Sequence, residues 1–77
     1  MLYEDGQYHE SIGLAWRILD QDRTYEDAYR LLMRAHMALG ERTTALRLYE
    51  RCVTVLREDL GVTLLPETVA LAEQIRG

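Results

Sequence analysis

Few residues of this chain belong to the types that carry out chemistry, and their spacing keeps them apart. His9 and His36 are the only histidines and Cys52 is the only cysteine, so neither histidine has a second His or Cys at ligand spacing. Metal sites need several such ligands close together. We therefore predict no metal and no cofactor, with His36 half-buried in a packing stripe and His9 solvated, the alternative for each being a functional histidine.

The remaining reactive groups indicate structure rather than catalysis. A nucleophilic cysteine needs neighbours that lower the pKa of its thiol, whereas Cys52 lies mid-helix where a small side chain packs, so we interpret it as an inert core residue. The 13 carboxylates fall mostly at predicted helix ends and on polar faces, whereas glycosidase-type chemistry needs two facing across a cleft. The five scattered glycines form no phosphate-binding loop. The sequence predicts that this protein is not an enzyme.

Length and charge narrow the class of protein further. The chain has 77 residues, which predicts one domain over residues 1–77. Its net charge is −4 and its nine basic residues are all Arg, which argues against nucleic-acid binding by this chain, although a local basic stripe stays open. No apolar run approaches the ~20 residues of a membrane span, and no signal peptide is visible. With its single Cys, the chain is expected in the cytoplasm.

A repeat of 34 residues runs through the sequence. Gly6 and Gly40 are 34 residues apart, and the same shift places Leu14 on Leu48. Other matches are Ser11 with Ala45, Ile12 with Leu46, Ile18 with Cys52 and Leu19 with Val53. This period is the length of a two-helix tetratricopeptide unit, and it predicts that Gly6, like Gly40, lies at a turn between two helices.

Apolar spacing predicts four helices and no strand. The predicted helices run from about Tyr8 to Gln21, from Thr24 to Gly40, from about Thr43 to Gly61, and onward from Pro66. For the second, Thr24-Tyr25-Glu26-Asp27 is typical of a capping box, in which the Thr hydroxyl and the acidic side chain satisfy backbone amides. Gly40 and Gly61 are typical helix stops, and Pro66 is a typical first helical residue. Short loops between neighbouring helices predict an antiparallel arrangement.

The second pair of helices resembles a tetratricopeptide repeat. The matching positions are Tyr29, Leu32, Gly40, Ala45, Tyr49 and Cys52. Met33 and His36 depart from the small residue and the Tyr of that pattern, and Arg57 replaces its terminal Pro, so we expect the third helix to continue past Arg57. The resemblance implies an all-α fold of about four helices, with antiparallel hairpins stacked as a right-handed superhelix.

A narrower resemblance covers most of the chain. The Tyr-Glu-Arg-Cys stretch at 49–52, Leu-Gly-Val at 60–62 and Pro-Glu-Thr at 66–68 resemble the bacterial transcriptional activator domain. In such regulators this helical domain follows a winged-helix DNA-binding domain. The resemblance therefore implies a regulatory protein–protein interaction module that reaches DNA only through a separate domain. We expect residues 1–77 to be a fragment of a longer regulator.

Two sets of residues are candidates for partner binding. Asp27, Arg30, Arg34 and Met37 share one helix face, where two Arg at i, i+4 could form a fork for a carboxylate; the alternative is an ordinary exposed face. The second set is Trp16, Leu64 and Leu65, read as apolar contact surface for a partner or as internal packing. Leu64 and Leu65 are expected to pack against the helices, since together they would expose two large side chains.

Two functions therefore compete. The first is a non-catalytic interaction module of a bacterial transcriptional activator. The alternative is a generic tetratricopeptide scaffold that binds an acidic peptide through Arg30 and Arg34 or mediates self-association. About three stacked repeats are normally needed for stability, so we expect this chain either to self-associate, as a homodimer or larger, or to use its last helix as a cap.

Overall fold

Four helices make up the fold. The computed structural model describes residues 2–77, with side chains from residue 6 onward. The helices are α1 (Leu2–Gln21), α2 (Glu26–Ala38), α3 (Arg42–Leu60) and α4 (Pro66–Arg76), and this described range contains no strand. The all-α, four-helix prediction is confirmed.

Helix α2 lies at the centre, because it packs against each of the other three helices, and α3 also packs against α4. Short connections make α1, α2 and α3 successively antiparallel. The start of α2 contacts the start of α4, through Glu26 and Leu65, so these two helices run parallel. The Cα atoms span 41 × 31 × 17 Å. With helices about 10 Å in diameter, the stack is two helices thick.

The core is one continuous cluster that draws on all four helices. Its largest fully buried side chains include Tyr29, Leu32, Met33 and Leu56, and the small residues Ala15, Ala45 and Ala72 let the helices approach closely. Tyr49 packs against the same cluster from the edge. The two tyrosines that the repeat pattern singled out therefore share one interior, as the tetratricopeptide-like arrangement requires.

The predicted helix ends at Gly40, Gly61 and Pro66 are confirmed. Gly40 has a φ of 77° and Gly61 a φ of 65°, the left-handed conformation that residues with a Cβ adopt only at a cost. Gly61 donates its N–H to the carbonyl of Arg57 at 3.0 Å. Helix α3 continues past Arg57 to Leu60, as expected.

The predicted capping box at Thr24 is wrong. The N-cap of α2 is Tyr25, with no side-chain cap. Thr24 donates its hydroxyl to Asp22 at 2.7 Å and its N–H to the same carboxylate at 3.0 Å, which lowers the pKa of Asp22. Asp27 pairs with Arg30 instead. A carboxylate two residues before Thr24 thus competes successfully for the group that would have capped the helix.

The predicted turn at Gly6 is also wrong. Helix α1 begins at Leu2 and continues through Gly6 and Gly13. A glycine inside a helix costs only about 1 kcal/mol relative to Ala, and no positive φ occurs at either position. The 34-residue repeat therefore relates Gly40, which ends a helix, to a glycine that interrupts nothing.

Candidate functional site

Arg30 lies at a junction between α2 and α4 rather than on an open face. Its guanidinium donates to the hydroxyl of Thr68 at 2.7 Å and to the carboxylate of Asp27, and it lies 3.7 Å from Glu26. The Arg30 side chain is 11% exposed. We call Glu26, Asp27, Arg30, Leu65 and Thr68 the α2–α4 junction. Its residues come from opposite halves of the sequence, and their polar groups satisfy one another.

Glu26 holds the beginning of α4. Its carboxylate accepts the backbone N–H of Leu65 at 2.8 Å and the hydroxyl of Thr68. Leu65 is the N-cap of α4 and no side chain of α4 itself caps that end. A negative charge at a helix N-terminus interacts favourably with the helix dipole. The junction therefore fixes where α4 starts and which way it runs.

The other members of the first predicted set lie further along α2. Arg34 is exposed and lines, with Met37, a shallow cleft of about 220 Å³ whose other wall is Leu71, Gln74 and Ile75 of α4. Arg30 does not line this cleft. The structure thus divides Arg30 and Arg34 between an internal junction and a surface cleft, and their joint recognition of a carboxylate stays a prediction.

An apolar groove lies between α3 and α4. Tyr49, Val53 and Arg57 form its α3 wall, Val69, Ala70 and Glu73 its α4 wall, and the 61–64 loop one end, around a volume of about 750 Å³. We call this surface the α3–α4 groove. Leu64 packs against the core beside it, as expected. Leu65 is 46% exposed, contrary to expectation, because its backbone is fixed as the N-cap of α4 and its side chain is left outside.

Trp16 is partly covered from within the molecule. Its ring packs against the core, and the guanidinium of Arg51 lies over it at 5.4 Å from the ring centroid, a cation–π distance. This contact connects the middle of α1 with the middle of α3. Of the two interpretations of Trp16, the structure shows internal packing.

A second exposed surface lies on the opposite side of α1. We call it the α1 outer face, a shallow depression lined by Gln7, Tyr8, Glu10, Ser11, Leu14 and Arg17. Leu14 is 48% exposed there. Our sequence analysis identified neither this face nor the walls of the α3–α4 groove as functional. The signal that could have found both is the 34-residue shift, which aligns exposed Leu14 with buried Leu48.

The candidate reactive groups lie apart from these surfaces. Cys52 is completely buried, and this burial raises the pKa of its thiol to about 12, so the nucleophilic thiolate is scarce at neutral pH. His36 is partly buried with its Nδ1 2.6 Å from a carboxylate oxygen of Glu41, and His9 is exposed. Among the residues that the structure describes, no three His, Cys, Asp or Glu side chains are grouped to hold a metal ion.

The fold and its surfaces define a class: a stack of helical hairpins with an apolar groove at its surface. Residues 1–76 match the family model of the bacterial transcriptional activator domain. The chain belongs to that family, which is a family of regulatory transcription domains and not a class of enzymes. No curated protein and no solved structure matches the chain significantly. Within residues 2–77, no helix combines the length and the apolar character needed to cross a membrane.

Proposed function

We propose that this chain is a non-catalytic protein-binding module of a bacterial transcriptional activator, active in the cytoplasm. In this function the chain contacts another protein, while DNA is reached only through a separate domain. The net charge of −4 supports this division, because binding the phosphate backbone needs an excess of Lys and Arg.

The observation that carries the proposal is the α3–α4 groove on a chain of this family. Its walls are mainly apolar, and Val62 at its end is 47% exposed. Contiguous exposed apolar surface on a small domain is typical of a contact site for another protein. A buried, protonated Cys52 supports the non-catalytic part of the proposal, since it removes the strongest nucleophile of the chain from use.

A tethering experiment tests this function. The chain is fused to an unrelated DNA-binding domain that does not activate transcription, and a bacterial reporter carries the matching site upstream of a weak promoter. We expect the fusion to raise reporter transcription. Val62→Glu and Ala70→Glu, which place a charge in the groove at exposed positions, should abolish the increase because apolar contact surface is lost.

The matched control is Thr44→Glu, which adds the same charge at an exposed position of α3 outside the groove. It should leave the reporter response unchanged, and circular dichroism should show equal helix content in all variants. A fusion without effect on transcription would contradict the proposed function. Equal responses of Val62→Glu and Thr44→Glu would remove the groove from it.

A further inference from the structure

The two uncovered surfaces of this stack are related by its internal repeat. Helices α1 and α3 occupy equivalent places one repeat apart, and the parallel helices α2 and α4 likewise correspond. Within the described stack, α3 covers one side of α2, but no helix covers the same side of α4, and this is the α3–α4 groove. Correspondingly, no helix covers the α1 outer face.

We propose that the α3–α4 groove binds α1 of a second copy of this chain, so that copies associate head to tail. This inference rests on the proposed function, since it names one protein partner for the groove. In this arrangement α1 of the second copy lies beside α3 and α4 as α3 lies beside α1 and α2 within one molecule. The α1 outer face and the groove then become the two sides of one interface.

The apolar part of the match follows from Leu14. Its repeat counterpart, Leu48, is 7% exposed because it packs into the core. Leu14 is 48% exposed on the α1 outer face. Placed in the groove of another copy, Leu14 takes the position relative to α4 that Leu48 takes relative to α2, and its apolar surface leaves water.

The charged part follows from two contacts between α1 and α3. Trp16 lies under the guanidinium of Arg51. Moving this pair by one repeat gives Glu50, which follows Trp16 by 34 residues, and Arg17 of the second copy, which precedes Arg51 by 34. Both are exposed. A cation–π contact inside the molecule thus becomes a carboxylate–guanidinium pair across the interface.

The second contact joins Arg23 and Asp59, whose Nε and Oδ2 atoms are 3.0 Å apart. The same shift gives Arg57, on the wall of the groove, and Tyr25 of the second copy. Tyr25 is 46% exposed, and an aromatic ring is a favourable partner for Arg. Neither shifted pair brings like charges together, which would have opposed the arrangement.

Head-to-tail contact predicts a distinctive mass. The surfaces on the two sides of the interface differ, so each copy keeps one of them available and growth does not stop at two copies unless a ring closes. Multi-angle light scattering of the 9.0 kDa chain, from about 10 µM to about 1 mM where weak association is visible, should give a mass that rises past two copies.

Variants identify the interface. Leu14→Glu should abolish association without unfolding the chain, since Leu14 is already exposed. Arg17→Glu or Glu50→Arg alone should weaken association by roughly three- to tenfold, the scale of an exposed ion pair turned repulsive. Mixing these two variants should restore it, because each interface then regains one Arg and one Glu. The matched controls Arg47→Glu and Glu58→Arg, exposed on the other side of α3, should associate like the parent chain.

Three results would overturn the proposal: a mass of one copy at every concentration, a mass that stops at two copies, or no restoration in the mixture. A chain that activates the tethered reporter but remains a monomer would overturn this inference alone and leave the proposed function in place. A reporter response lost only in the groove variants, with Leu14→Glu still active, would assign the groove to a different protein.

Discussion

The carboxylate of Glu26 accepts the backbone N–H of Leu65 at 2.8 Å, although the two residues are 39 positions apart in the sequence. A helix that supplies its own cap would use a side chain at its third position for this bond. In α4 that position is Thr68, which instead donates its hydroxyl to the same Glu26 carboxylate. The cap of α4 is therefore contributed by α2.

Replacing Glu26 tests this capping role. We expect Glu26→Gln to lower the free energy of unfolding by about 1–2 kcal/mol, because the charged acceptor at the α4 N-terminus and its pairing with Arg30 are lost. Urea denaturation followed by circular dichroism measures the change. Glu10→Gln, an exposed change of the same chemistry on α1, should cost less than about 0.5 kcal/mol, and equal losses would contradict the role of Glu26.

Thr68 links Arg30 to Glu26, since its buried hydroxyl accepts from one and donates to the other. Thr68→Val keeps the shape and removes the hydroxyl, which should cost about 1–3 kcal/mol because partly buried charged groups lose a partner. Combined with Glu26→Gln, the loss should be less than the sum of the two single losses, since both variants break the same contact.

Strict additivity of these two substitutions would show that Thr68 and Glu26 act independently. Thr44→Val provides the background for the chemical change, since Thr44 is exposed on α3. It should leave the urea midpoint almost unchanged.

Two glycines should respond in opposite directions to the same substitution. A Cβ added at Gly61 or at Gly13 meets no atom within 4 Å, so only the backbone distinguishes them. Gly61→Ala should destabilise the protein by about 1–2 kcal/mol because of its φ of 65°. Gly13→Ala should stabilise it by about 0.5–1 kcal/mol because helical glycine loses more entropy on folding. Thermal unfolding of both variants measures this, and a shared direction would contradict it.

The buried thiol of Cys52 predicts a pH dependence of stability. Its pKa is raised from 9.0 to about 12 by burial, so the folded chain retains a proton that the unfolded chain releases above about pH 9. The stabilisation is complete below pH 9 and is lost as the pH rises toward 12. The free energy of unfolding should fall there by up to about 1.4 kcal/mol per pH unit from this group.

Cys52→Ala isolates that contribution. Between pH 9 and pH 11 the variant should show a shallower decline than the parent chain, because the titrating thiol is absent while every other group is retained. Identical slopes in urea denaturation series at several pH values would show that Cys52 does not titrate differently in the folded state.

The sequence predicted those features that depend on neighbouring residues. Gly40, Gly61 and Pro66 mark helix boundaries because their backbone preferences act locally, and the apolar spacing of α2 and α3 identified the buried faces. The capping box failed for an equally local reason. Asp22 and the α2 amides compete for the Thr24 hydroxyl, and sequence pattern alone did not reveal that Asp22 would win.

The candidate site was harder to predict, because its contacts join distant positions. Arg30 and Thr68 meet only after α4 has folded back beside α2, and no local pattern pairs them. Arg30 and Arg34 share a helix face in sequence terms, yet α4 covers one of them and leaves the other exposed. The α3–α4 groove likewise arises from how helices pack, which the 34-residue repeat indicates only when carried through to the next unit.

The dependence of α4 on Glu26 has a consequence for how the protein assembles. A helix of eleven residues is too short to persist alone in water, so α4 forms only where the central hairpin of α2 and α3 already exists to receive it. Folding therefore proceeds from that hairpin toward the C-terminal segment. Brief detachment of α4 exposes residues 61–77 as unstructured chain, which makes this segment the first place where a protease cuts.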